Sequence, residues 1–146
     1  MADQEAREIQ ELVTILHDSA DFYREAHDKV TNAALKETFD EIARIKEQLV
    51  GRLQPLVMLQ TGEAEYGHSA AVKVRQIYTN ILASLQKDKA ETFIDNLEEV
   101  EDKTRAQARK ALDAADTTVV AIALRDAYPE IERCHEEMSR LKAARS

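Results

Sequence analysis

The residues best suited to chemistry lie in the stretch PEIERCHEE, positions 129–137, where Glu132 stands three positions before His135. On a helix that spacing turns a carboxylate and an imidazole to one side. Some four-helix bundles combine such Glu-x-x-His pairs with single glutamates from other helices to hold two iron or manganese ions. Counting about 100 degrees per residue places Glu101 on an inward face between Leu97 and Thr104, where it offers a third ligand. Glu101, Glu132 and His135 are of types that suit Fe, Mn or Zn. Lys46 falls between Ile42 and Leu49 in an otherwise apolar stripe. A protonated ammonium there repels a divalent ion and has no lone pair to give it.

Three arrangements accommodate these side chains. In the first, Lys46 and Glu101 form a buried ion pair joined by His135 and by Tyr23 from the first helix. Each charge then needs the other, because burying one alone is costly. In the second, Lys46 runs outward along its aliphatic stem and Glu101 sits at a wet edge. In the third, Glu101, Glu132 and His135 hold a metal whose shell is completed by water or by a second subunit. The spacing itself is weak evidence in a glutamate-rich chain: a second Glu-x-x-His, Glu65 to His68, falls in a glycine-bounded loop.

Apolar periodicity supplies the elements that must position these groups. Ile9, Leu12, Val13, Leu16, Ala20, Tyr23, Ala26 and Val30 recur at steps of three and four, which predicts a first helix from about Gln4 to Val30. Thr31 or Asn32 caps a second, whose stripe runs through Leu35, Phe39, Ile42, Lys46, Leu49, Leu53 and Leu56 to the stop at Thr61 and Gly62. The segment GEAEYG, 62–67, is a loop, and Val74, Ile77, Tyr78, Ile81 and Leu85 then form a shorter crossover helix. The third long helix turns Phe93, Leu97, Val100, Glu101, Thr104, Ala108 and Ala111 inward and ends near Asp113. The fourth, capped within 116–118, carries Val120, Leu124, Tyr128, Ile131, His135, Met138 and Lys142. Pro129 inside it predicts a kink.

Within the first hairpin Lys46 is as far from the turn as Leu16, and in the second Glu101 and Glu132 are similarly balanced. If both hairpins pack with their turns at the same end, Lys46, Glu101, Glu132 and His135 share one layer. Two hairpins joined by a long crossover define an antiparallel four-helix bundle with one crossing connection, an all-α fold and a single domain over 1–146.

Composition narrows the partners. Three glycines and two prolines in 146 residues leave little for the turns of a β-protein. A net charge of -8, with no basic stripe, disfavours nucleic acid and anionic membranes. No apolar run nears the roughly 20 residues that span a bilayer, and the acidic start MADQEAREIQ does not read as a signal peptide, so a cytoplasmic protein is expected. Cys134 is the sole cysteine and reads as an inert thiol, His17 as exposed and His27 as a core-edge residue. Ile15 and Phe22 widen the apolar face of helix 1, which calls for the crossover helix or a second subunit as cover. A homodimer is therefore one expectation, beside a protein partner that the residues do not identify.

The segments LVTILHDSADFYREAHDKV, LKETFDEIARIKEQL, NLEEVEDKTRAQARKAL and IERCHEEMSRL together resemble a bacterial family of stand-alone ferritin-like bundles known only as a domain of unknown function, and more distantly rubrerythrin. The resemblance implies a ferritin-like fold and a stress-related role. Metal-binding ferritin-like proteins carry a glutamate on helix 1, Glu-x-x-His on helix 2, a glutamate on helix 3 and Glu-x-x-His on helix 4. Glu101, Glu132 and His135 match the last two, while Leu16, Lys46 and Leu49 stand at the first two. The expected function is that of a non-enzymatic interaction protein with no cofactor, whose metal site a Lys-Glu-His cluster has replaced. The alternative is an Fe- or Mn-binding oxidase or iron handler using the remaining half-site.

Overall fold

The computed structural model describes residues 2–61, 69–84 and 93–145. Five helices make up almost all of them: α1 (Ala2–Lys29), α2 (Ala33–Thr61), α3 (Ser69–Ser84), α4 (Ile94–Ala114) and α5 (Thr118–Arg145), with no strand among the described residues. The loop expected at 62–67 and the end of the crossover helix at 85–89 lie outside them. No helix among the described residues is long and apolar enough to cross a membrane.

Local chemistry sets the boundaries. The Asn32 side chain accepts the backbone N–H of Leu35 at 3.0 Å, so Asn32 caps α2. The Lys36 ammonium donates to the His27 carbonyl at 2.8 Å and closes the end of α1. α2 contains Pro55 and α5 contains Pro129, and both helices continue through them. Each proline deprives the carbonyl four residues earlier of its donor. Those residues, Gly51 and Arg125, are exposed, so water takes the vacant place.

α1 packs on α2, α3 and α4, and α5 packs on α2 and α4, while α3 also meets α4. The four long helices thus form a square in which α1 faces α5, and α2 faces α4, across the diagonals. Contacts fix the directions. Arg24 of α1 binds Asp40 and Glu47 of α2, and Arg109, Arg105 and Asp102 of α4 meet Tyr128, Glu132 and His135 of α5 in reverse order, as antiparallel hairpins require. Gln107 of α4 donates to Glu8 near the start of α1, and Thr117, in the turn before α5, donates to Glu5. The α4–α5 turn therefore lies at the start of α1, and the α1–α2 turn at its far end. The hairpins pack with turns at opposite ends, not at the same end, yet Lys46 and Glu101 still meet. Each lies about fifteen residues from its own turn, which is mid-height measured from either end of helices this long.

α3 runs parallel to α1: Ala71, Arg75 and Tyr78 meet Glu11, Asp18 and Ser19 in the same order. Phe22 stacks on Tyr78 with ring centroids 4.3 Å apart, so the wide face of α1 is covered by the crossover helix. Ile9, Leu12, Ile15 and Leu16 are all fully buried, and at roughly 1.5 to 3 kcal/mol per large side chain this stripe is a principal source of stability.

Candidate functional site: a buried ion pair across the bundle diagonal

Lys46 and Glu101 come from the two helices that face each other across the centre, α2 and α4. Both side chains are 0% exposed, and the Lys46 ammonium donates to Glu101 Oε1 at 2.8 Å. A short side chain cannot bridge that diagonal, whereas the four-carbon stem of lysine fills apolar space on the way across. The other carboxylate oxygen, Oε2, accepts the Tyr23 hydroxyl from α1 at 2.7 Å. Three helices are thus tied at one point by two hydrogen bonds to a single carboxylate.

The surroundings are dry. Leu16, Ile42, Leu49 and Val100 are fully buried, and Thr104, one turn from Glu101, returns its hydroxyl to the Val100 carbonyl at 2.9 Å. Burial, reinforced by the Glu101 charge, pushes the Tyr23 phenol well above its ordinary range, so it remains a donor. Tyr78 is raised in the same way, chiefly by burial, and its hydroxyl lies 2.6 Å from that of Ser19. Cys134 is pushed up to about 12, mainly by burial, with Lys46 opposing and Glu101 assisting that shift. The thiol therefore belongs to the same electrostatic neighbourhood and is not ionised at neutral pH.

Lys46, Glu101 and Tyr23 are brought together, but His135 is not part of that group. Its Nε2 lies 3.0 Å from Asp102 on the outer seam between α4 and α5. Glu132, about one-third exposed, faces Arg105 at 3.6 Å. The buried residues of α5 are Val120, Leu124, Ala127, Ile131, Cys134 and Met138, an alternation of four and three. The expected stripe through Tyr128 and His135 is thus rotated by one residue. Packing between long helices follows a repeat near 3.5, and a shift of one position turns a side chain by about 100 degrees. Lys142 is likewise on the surface, bound to Glu98 at 3.0 Å.

The donor set does not fit a pair of metal ions. Leu16, Lys46 and Leu49 present two hydrocarbon groups and a cation, and both oxygens of Glu101 accept hydrogen bonds from Lys46 and Tyr23. Among the described residues no group of three or more His, Cys, Asp or Glu side chains is placed to hold a metal ion.

Two buried carboxylates are not evident from periodicity. Glu11 Oε1 accepts the backbone N–H of Ala71 at 2.6 Å, and Glu5 Oε1 accepts the hydroxyl of Thr117 at 2.8 Å, so α1 caps the starts of α3 and α5 from a distance. Their positions on the edge of the α1 stripe are the one signal the sequence holds. Glu5 Oε2 is buried with no partner among the described residues.

No curated protein and no solved structure is matched by the chain. A family profile does match, over residues 4–114 and so from α1 through α4, and the chain belongs to that family, described as Domain of unknown function (DUF2383).

Proposed function

We propose that this protein is a non-enzymatic, ferritin-like antiparallel bundle, distantly related to rubrerythrin, in which an internal ion pair replaces the metal centre of its metal-binding relatives. It acts through its surface as a stress-related interaction protein of the bacterial cytoplasm. One observation carries the reading: the Lys46 ammonium lies 2.8 Å from Glu101 at the fully buried centre of the diagonal. A fixed cation there supplies the charge that neutralises the carboxylate, and it opposes the entry of a divalent ion. Square packing, opposite turn ends and a crossover helix between α2 and α4 support the ferritin-like connectivity.

The test is elemental analysis of protein purified without chelator, followed by aerobic addition of Fe(II). Substoichiometric metal and no oxygen uptake are expected. Near-stoichiometric iron, with oxygen uptake lost in His135→Ala, would establish instead the half-site of Glu101, Glu132 and His135 and an oxidase or iron-handling role.

A further inference from the structure

Exposed charges on this molecule are mostly paired. Arg24 binds Asp40 and Glu47, Arg75 binds Asp18, and Arg133 binds Glu41. Along the outer seam of α4 and α5 the pattern continues with Asp102 to Arg105 and His135, and with Arg105 to Glu132. Glu99, Lys103 and Arg109 break it. They line an open groove of about 700 Å³ on that seam, together with Ala106 and Tyr128, and no oppositely charged side chain lies within ion-pair distance of them among the described residues.

Arg109 is nevertheless held in place. It donates to the Tyr128 hydroxyl at 2.9 Å, and its guanidinium carbon lies 5.6 Å from the centre of that ring. The hydroxyl occupies one of five N–H donors, which leaves an oriented cation able to bind a carboxylate in bidentate fashion. Glu99 is ten residues earlier on the same helix, about 15 Å away at 1.5 Å per residue. Exposed Ala106 lies between them, with a side chain too small to hold a neighbouring helix off.

The groove therefore has an acidic end and a basic end, and a half-turn about an axis through its middle exchanges them. A surface with that property is complementary to itself, as a twofold interface must be. We propose that the α4–α5 seam is a self-association face, on which a second copy of this chain docks antiparallel with Glu99 of each copy paired to Arg109 of the other. A chain of net charge -8 repels its copies at long range, so a local match of opposite charges selects this face and orientation over others. The proposal does not depend on what occupies the centre of the bundle.

Sedimentation velocity of the full chain across a wide concentration range, at low and high salt, tests it. The expected result is a monomer–dimer equilibrium that salt weakens. Glu99→Arg and Arg109→Glu should each weaken dimerisation about tenfold or more, and the double variant should restore most of the wild-type affinity. Both side chains are exposed, and circular dichroism checks that each variant is folded. A wild-type monomer at every concentration overturns the proposal. So does a dimer that neither reversal weakens, which would place the contact elsewhere, for example on exposed Val119 and Ile122 of α5. Failure of the double variant to recover overturns the pairing of Glu99 with Arg109.

Discussion

A carboxylate at the position of Glu101, shut off from water and left with Tyr23 as its partner, cannot disperse its charge, so Lys46→Met should destabilise the fold by about 3 to 5 kcal/mol. Replacing both charges, as Lys46→Met with Glu101→Leu, should recover most of that loss, because the desolvation cost disappears together with the attraction. Urea unfolding measures both, and a single variant as stable as the parent would mean that the pair contributes nothing. The buried acids around it give a second expectation. Cys134 rises from 9.0 to about 12 on folding, and Tyr23 and Tyr78 rise well above 10.0, so the folded state keeps protons that the unfolded chain releases. Stability is then unaffected by these groups below about pH 9. From pH 9 towards 12 it should fall, by about 1.4 kcal/mol per pH unit for each group that ionises only in the unfolded chain. Denaturation midpoints measured across that range should drop steadily, and a flat profile would contradict burial of these hydroxyls and the thiol.

At the scale of the helices, α2 contains a weakness on its solvent face. Gly51 is helical and exposed, and a methyl group added to it would meet nothing within 4 Å, so Gly51→Ala should stabilise by about 0.5 to 1 kcal/mol through the entropy of the unfolded chain. Thermal unfolding reads this directly; a loss of stability would show that the freed carbonyl before Pro55 needs the space that glycine leaves. Helix boundaries were legible in the sequence because caps and apolar periodicity act within a few residues: Asn32 starts α2 and the turn at 115–117 starts α5, as expected. The facing of α5 was not. Cys134 and His135 are adjacent, and periodicity alone cannot say which of two neighbouring stripes the rest of the bundle will cover.

Considering the molecule as a whole, α5 forms one wall of the square although the family profile ends at residue 114. It buries Val120, Leu124, Ile131 and Met138. At roughly 1.5 to 3 kcal/mol each, their removal is comparable to the entire stability of an ordinary domain. A chain ending after Asp116 should therefore lose cooperative unfolding, with a broad thermal transition and collapsed dispersion in its amide NMR spectrum. A sharp transition in the truncated chain would show that α1 to α4 form a self-sufficient core.

The sequence by itself determined the helical class, the order and approximate limits of the long helices, and the inward facing of Lys46, Glu101 and Tyr23, since all of these follow from spacing along one helix. Only the tertiary structure decided that the hairpin turns lie at opposite ends and that Tyr23 and Lys46 share one carboxylate. It also decided that Glu11 and Glu5 cap helices 60 and 112 residues away, and that His135 belongs to the surface seam. The physical reason is range. A helix is specified by neighbours three and four positions apart, whereas the partner of a buried charge is set by which helices close around it.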